Sequence, residues 1–436
     1  MRKRILFLGE AVTLAHVARP LFLARSLPPD RFDVHFAADT HFDRVLGRGS
    51  STEDGITHWP LQSVTPEAFL KTIDAGGILF PAEKVAGYVE EELALIEAIQ
   101  PDLVVGDLRV SLGVSAPFSR LPYIAITNAY WSPFSFEKRF PAPAFRRVRE
   151  AAVLRDDREE TGLLLESVFQ VVFRRLFRAQ ARGLDTVRRW YGLPPFPDYL
   201  TGFTYADRTL YADTPSLAPT VGRPVTHRYI GPIAWSPDGT LPQWWESFVE
   251  SKRLLFVTLG SSGDRSIIPL LAQAFAEMDV RVVIAAGGAL EVGSLPENVR
   301  VVPFLPGALA AAQAAVVVTN GGSPSSYQAL SCGAPLVTLP TNMDQLLCSR
   351  RLSELRVAEE IRPEHRTVAR VRAAVEKVLD DPSYRRNAQS IEREIEQFQT
   401  ERLFLECIDE LLSPGGVPAA ATVVQAAGSG KGAMGT

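Results

Sequence analysis

Twice along this chain of 436 residues, short β-branched apolar runs alternate with segments of helical spacing. No other feature limits the fold as much, because parallel strands need long crossovers and a helix is the usual one. The first series predicts strands at Ile5–Gly9, Asp33–Ala38, Gly55–Pro60, Asp102–Asp107, Tyr123–Thr127 and Arg208–Ala212. Between them, Val17, Leu21, Ala24 and Leu27 recur at helical spacing, and Val85–Ile99 reads as an amphipathic helix stopped by Pro101. The second series predicts strands at Leu254–Leu259, Arg281–Ala285, Arg300–Val302, Val316–Thr319 and Leu336–Leu339. Its predicted helices are Ile268–Met278, Ala308–Gln313, Val368–Leu379 and a long one over Ser390–Leu412.

Where the two series meet, residues 219–251 are dense in proline, glycine and tryptophan and lack a period, so they are expected to be a linker. Residues 1–218 and 252–389 would then be two α/β domains, with 390–412 as a closing helix. The tail, 413–436, is rich in Gly, Ala and Ser without a hydrophobic pattern and is expected to be disordered.

The formal net charge of −4 provides no broad basic field, which argues against a nucleic-acid partner. The 3 cysteines are scattered, with no C-x-x-C, so neither a disulfide framework nor a zinc site is expected. Arg2-Lys3-Arg4 before ILFLG imitates a secretory leader, but Glu10 ends the apolar run too early. No long uninterrupted apolar stretch suggests a membrane span. A cytoplasmic location is the expectation. Between Phe145 and Tyr191, Phe169, Val172, Leu176 and Phe177 form an apolar stripe bordered by Arg174, Arg175, Arg178 and Arg182. The plainer reading is a core-packing helix with a solvated face. A basic amphipathic helix also suits peripheral contact with a membrane.

The chemistry concentrates in VVVTNGGSPSSYQALSCGAPLVTLPTNMDQ, residues 316–345. A strand stops at Gly321-Gly322, Ser323 suits an N-cap and Pro324 the first helical position. Gly333-Ala334-Pro335 ends the helix before the next strand. Glycines let backbone approach a ligand closely, and free N–H groups at a helix start favour an anion such as phosphate. A polar cluster, Asn342-Met343-Asp344-Gln345, lies beyond the second strand, where ligands of parallel sheets sit.

The whole string resembles the donor-binding signature of the family 1 (UDP-glycosyltransferase-like) glycosyltransferases. In that family a Gly-Gly-Ser/Thr turn, a residue on the next helix, a Gly-x-Pro stop and an Asp/Glu-Gln pair hold a nucleotide sugar. The resemblance covers nearly the whole chain and implies GT-B, an α/β fold of two Rossmann-like domains facing across a cleft, with the last helix crossing back to the first domain. It implies a UDP-sugar or dTDP-sugar as co-substrate, no other cofactor, no metal and an inverting transfer. No D-x-D or H-E-x-x-H motif occurs.

His16 follows the first strand at the start of a helix, where an imidazole tends to stay neutral and able to accept a proton. It matches the family's base, and Asp107, at the carboxyl end of a strand, matches the aspartate that orients it. Gly260, Ser261 and Ser262 follow the strand LFVTL and would face the diphosphate together with Asn320, Gly321, Gly322, Ser323 and Ser325. Gln328 stands where the family has a ribose-binding glutamate, and Asn320 where it usually has histidine. Phe304 would stack on the base. Asn342, Asp344 and Gln345 would meet the sugar, a carboxylate and an amide suiting the vicinal hydroxyls of a hexose. The aromatic loops that hold Trp59, Phe80, Tyr130, Trp131 and Phe134 suit a flat hydrophobic acceptor, small molecule or lipid. A nicotinamide oxidoreductase would want G-x-G-x-x-G after the first strand, and none exists. A sugar-nucleotide epimerase and a non-catalytic glycosyltransferase-like helper remain open at this point.

Overall fold

A computed structural model describes residues 2–47, 55–136, 140–141, 175, 177–233, 235–236, 239–250, 252–288 and 293–413. Two sheets, parallel throughout, carry the fold. The first holds β1 (Lys3–Gly9), β2 (Phe32–Ala38), β3 (Ile56–Pro60), β4 (Leu103–Asp107), β5 (Tyr123–Thr127), β6 (Arg208–Tyr211) and β7 (His227–Tyr229), in the order β3-β2-β1-β4-β5-β6-β7. The second holds β8 (Arg253–Thr258), β9 (Val280–Ala285), β10 (Val299–Val302), β11 (Ala314–Thr319), β12 (Leu336–Thr338) and β13 (Ala358–Glu360), in the order β10-β9-β8-β11-β12-β13. The strands read as continuous apolar runs because both faces are covered. On β1, Ile5 and Phe7 enter one core while Leu6 and Leu8 enter the core on the opposite face. On β8, Leu254 and Phe256 part from Leu255 and Val257 in the same way.

In each sheet the winding reverses once, between β1 and β4 and between β8 and β11. A crevice opens at such a reversal, beyond the carboxyl ends of the strands. His16 follows β1 and Asp107 ends β4, while Gly260 follows β8 and Asn320 follows β11. The two reversal points face one another across the interdomain cleft, bridged where the Leu14 amide donates to Ser261 Oγ at 3.2 Å.

Residues 219–251 are not a free linker. β7 lies inside them and pairs with β6, His227 opposite Thr209. Trp245, fully buried in the short helix Trp245–Val249, donates its indole N–H to Gln313 Oε1 at 2.9 Å. A strand of three residues is too short to show a period, so proline and glycine dominated the sequence signal.

The closing helix is also two helices, Pro382–Ile395 and Thr400–Leu412. The break carries the chain between domains: Phe398 lies against Gly231, where any Cβ would come within 2.4 Å of the Phe398 Cβ. Beyond it, Phe404, Cys407, Ile408 and Leu411 join the core under β1 and β2, with the Phe7 and Phe404 rings 6.0 Å apart. Glu410 pairs with Arg228 at 2.7 Å on the same sheet's edge. Helices Pro66–Asp74, Leu112–Phe118 and Met343–Glu354 have no counterpart in the sequence reading.

Residues 414–436 lie outside the described residues, as do Phe169, Val172, Arg174 and Leu176 of the arginine-rich stripe. Residues 177–190 are helical. Among the described residues, no helix is long and apolar enough to cross a membrane.

Candidate active site

Residues 10–14 join β1 to the helix Ala15–Arg25, which lies so close over the strand that a Cβ on Gly9 would stand 2.8 Å from the His16 carbonyl oxygen. Gly9 and Asp107 are register partners of β1 and β4, so the helix start falls beside the carboxylate. His16 Nδ1 is 2.7 Å from Asp107 Oδ1. Ionised Asp107 only accepts, so Nδ1 carries the proton and Nε2 is left to the cleft.

Sequence reasoning missed the third member of this group. Arg19 grips Asp107 with two bonds, Nε to Oδ2 and Nη2 to Oδ1, both 2.8 Å. Both side chains are buried. Burial alone would raise the Asp107 pKa, but Arg19 and His16 outweigh it and hold the carboxyl below its ordinary value. The available signal was the spacing, since Arg19 lies three residues past His16 on one helix and shares its face.

A cavity of about 780 Å³ lies between the domains. His16 and Asp107 line it from one side; Gly260, Ser261, Ser262, Asn320, Gly322, Ser323, Ser325, Gln328, Phe304, Asn342 and Asp344 line it from the other. Asn320 ties the two donor-side turns together: its Oδ1 accepts from the Gly322 amide at 3.1 Å, and its Nδ2 donates to Ser262 Oγ at 3.4 Å. Gly321 stands behind the wall at φ +74°, where a Cβ would lie 1.9 Å from Ser349 Oγ. Its role is to make the turn. Arg265, unflagged by the sequence reading, is the one cationic side chain on the second domain's wall among the described residues. Its Nη2 donates to the Gly287 carbonyl at 2.6 Å. Among the described residues, no three His, Cys, Asp or Glu side chains converge to hold a metal.

Several expected residues sit elsewhere. Ser323 is not an N-cap; Gly322 holds that position without a side-chain bond, and the Ser323 hydroxyl instead accepts from Asn128 Nδ2 at 3.1 Å across the cleft. Gln345 faces inward from the helix Met343–Glu354 and is buried, its side-chain oxygen accepting from the Thr341 amide and hydroxyl at 2.7 and 2.8 Å. It braces a loop and does not line the cavity. Trp59 packs on its own sheet and donates to His35 Nδ1 at 3.1 Å, and Phe134 lies edge-on to His227 at 5.2 Å; neither reaches the cavity. Tyr130 is buried, with its hydroxyl on Asp344 Oδ1 at 3.1 Å. Phe80 and Trp131 do line the cavity. They belong to an apolar chamber that also holds Phe69, Leu79, Phe177 and Phe203; Phe69 and Phe203 come from the short helices Pro66–Asp74 and Tyr199–Thr204.

Behind the cavity a buried polar chain crosses between the domains. Arg19 Nη1 donates to Asn128 Oδ1 at 2.9 Å, and Asn128 Nδ2 donates to Asp213 Oδ1 at 2.9 Å. The Tyr327 hydroxyl of the second domain donates to the same Asp213 oxygen at 3.1 Å. Burial pushes Asp213 up to about 6, against the pull of the Ala129 amide and Asn128. Burial pushes His227, on β7, down to about 4. Ionised Asp213 therefore costs stability above about pH 6, and that cost fades as pH falls toward 4. Neutral His227 contributes stability above its ordinary value of 6.5, which is lost as pH falls toward 4. The two oppose one another in one window. In Asp213→Asn the relief is gone, so stability is expected to fall more steeply between pH 6.5 and 4 than in the wild type. Urea midpoints across that range test this, and an unchanged slope would mean that Asp213 does not titrate there.

Residues 269–399 match the family described as erythromycin biosynthesis protein CIII-like, C-terminal domain. The chain is 40 % identical over 392 residues to the PGL/p-HBAD biosynthesis glycosyltransferase of Mycobacterium tuberculosis (strain ATCC 25177 / H37Ra), covering 89 % of this chain and 88 % of the relative. It is 40 % identical over 388 residues to the PGL/p-HBAD biosynthesis rhamnosyltransferase of Mycobacterium bovis (strain BCG / Pasteur 1173P2), covering 89 % and 83 %. Among solved structures, the glycotransferase of kitacinnamycin superposes with a TM-score of 0.66 at 23 % identity, over 94 % of this chain and 99 % of that one. The spinosyn rhamnosyltransferase SpnG, complexed with thymidine diphosphate, superposes with a TM-score of 0.64 at 17 % identity, over 94 % and 100 %. These structures share the fold. With 40 % identity along almost its whole length to curated glycosyltransferases, on that same pair of facing domains, the chain belongs to the family 1, GT-B glycosyltransferases and is a glycosyltransferase.

Proposed function

We propose that the protein transfers a hexosyl group from a nucleotide diphosphate sugar, UDP- or dTDP-linked, to a hydroxyl of a hydrophobic acceptor, with inversion and without a metal. The observation that carries this is the His16–Asp107 pair opening onto the same cavity as the two glycine turns of the second domain. His16 Nε2 takes the acceptor's hydroxyl proton as that oxygen attacks the anomeric carbon. The carbon–oxygen bond to the diphosphate breaks on the opposite face, and its electron pair leaves with the diphosphate. One displacement gives inversion. Asp107 holds the proton on Nδ1 and balances the imidazolium that forms.

The leaving diphosphate meets the amides and hydroxyls of Gly260–Ser262 and Asn320–Ser325, fixed in place before the reaction. Arg265 supplies the one positive side chain on that wall among the described residues. The apolar chamber around Phe80, Trp131 and Phe177 suits a flat or lipid-like acceptor. The names of the relatives, which refer to PGL/p-HBAD biosynthesis and rhamnosyl transfer, and the thymidine diphosphate in the SpnG structure support a dTDP-linked donor alongside a UDP-linked one.

Thermal-shift titration with UDP-, dTDP- and GDP-sugars tests this reading. A ligand at a hundred times its Kd stabilises the folded state by about 2.7 kcal/mol. The expected result is a clear shift with UDP- or dTDP-sugars. Arg265→Gln should weaken that binding roughly 10- to 100-fold, the value of a charge-assisted hydrogen bond. If no nucleotide sugar shifted the wild type, the proposal would fail.

A further inference from the structure

The helical residues 175 and 177–190 of the first domain present two unlike faces. At about 100° per residue, Arg175, Arg178, Arg182 and Arg189 fall within roughly 60° of one another, and all four are exposed. On the opposite side Phe177 and Gln180 line the cavity, while Leu184 and Val187 join the core with Phe80 and Val85. Gln180 fixes that wall: its Oε1 accepts from the Leu79 amide at 2.9 Å and its Nε2 donates to the Gly77 carbonyl at 2.6 Å. The outer arginines are not balanced. Other surface arginines face carboxylates, Arg228 with Glu410 at 2.7 Å and Arg356 with Asp381 at 2.9 Å. Among the described residues, no carboxylate pairs with Arg175, Arg178 or Arg182, and Arg189 reaches only the Thr186 hydroxyl, at 3.4 Å. Asp185, the one acidic residue within 177–190, is turned aside to accept from the Phe196 amide at 3.0 Å. Glu90 acts on Tyr191, past the end of the helix. The stripe ends at Trp190, 64 % exposed, and the next residue, Tyr191, meets the 51 % exposed Phe118 edge-on at 4.9 Å. Unpaired guanidiniums beside exposed aromatic rings suit the boundary of an anionic bilayer, where the charges meet headgroups and the rings enter the interface.

We propose that this face docks on an anionic lipid membrane, held there by Arg178, Arg182, Arg189 and Trp190. The inference goes beyond the nucleotide-sugar reading and stands without it. Its consequence for the acceptor is spatial. A single helix separates the surface that meets lipid from the chamber behind it, which favours an acceptor taken from the lipid phase over one taken from solution.

Co-sedimentation of the full chain with vesicles of phosphatidylglycerol, and separately of phosphatidylcholine, tests this. Binding is expected to phosphatidylglycerol alone and to weaken as salt is raised, because the attraction falls off within a Debye length. Each arginine near the surface contributes about 5-fold in affinity, so Arg178→Gln, Arg182→Gln and Arg189→Gln together should lower it roughly 100-fold. Arg178→Lys, Arg182→Lys and Arg189→Lys together should keep most of the binding, since the surface field acts on charge and not on guanidinium geometry. Trp190→Ala should weaken binding by less and leave its dependence on salt unchanged. The glutamine variant should keep the wild-type unfolding temperature and response to nucleotide sugars, which separates lost docking from lost folding. If it did not fold, Trp190→Ala and the salt dependence would decide. No binding to phosphatidylglycerol, equal binding to phosphatidylcholine, or a glutamine variant that binds like the wild type overturns the inference; the first is the outcome if the stripe meets an acidic protein instead. Vesicle binding without any response to nucleotide sugars would sink the donor reading and leave this one standing.

Discussion

His16→Ala is expected to lower kcat by about 10²- to 10⁴-fold, the usual contribution of a positioned base, while donor affinity stays close to that of the wild type. The separation follows from the architecture. The imidazole belongs to the first domain, and the turns that would cradle the diphosphate belong to the second. His16 is partly exposed, so truncating it leaves no large buried cavity. Steady-state rates with calorimetric donor binding would show the split. Unchanged turnover would remove the base assignment. A parallel loss of donor affinity would show that the side chain serves binding instead.

Asp107→Asn should do more than misorient His16, because Arg19 depends on the same carboxylate. The asparagine amide has one acceptor oxygen, so a buried guanidinium loses part of a two-bond grip. Breaking a buried ion pair from one side costs roughly 3–5 kcal/mol, since the partner charge stays behind uncompensated. The expected result in chemical denaturation is a loss of that order. Asp107→Asn with Arg19→Met should cost less than the sum of the single changes, a coupling that a double-mutant cycle reads directly. The pH dependence has a definite sign. The folded Asp107 value lies below its ordinary 3.8, so its contribution is complete above that pH and is lost as pH falls through the folded value. Asparagine abolishes that acid-side loss. An Asp107→Asn protein as stable as the wild type, or additive single changes, would mean that the pair is not buried as described.

Most strands were legible because each carries its own signal; β7 and β13, of three residues each, were not. Ile5–Leu8 and Leu254–Val257 are apolar on both faces wherever the rest of the chain goes. The glycine turns were legible for a similar reason. The backbone at Gly321 needs φ +74° and has no room for a Cβ, and only one residue type meets both conditions. His16 and Asp107 were singled out by the resemblance together with their positions at strand ends, which in a parallel sheet share an edge.

Arg19, Arg265 and the Asp213 relay were not legible in the same way. An arginine in a helix is ordinary, and only the partner brought to it by the fold makes it part of a site. The break between Ile395 and Thr400 escaped notice too, since both halves are amphipathic and the contact of Phe398 with Gly231, far away in the chain, exists only in the fold. Trp59 and Phe134 were placed in the wrong environment because aromatic content shows only that a ring is buried, not which space it fills.

The amino-acid sequence by itself determined the two doubly wound sheets, the turns that end their strands and the residues those turns present, because each depends on periodicity and backbone sterics within a few residues. Only the tertiary structure decided what the polar groups do. It turned Gln345 inward, set Asp107 between His16 and Arg19, and brought Trp131 onto Asp344 from more than two hundred residues away. The physical reason is that a hydrogen bond depends on a partner within about 3 Å, and for these groups the partner arrives only when the chain folds, within one domain for Asp107 and Gln345 and across the two for Trp131 and Asp344.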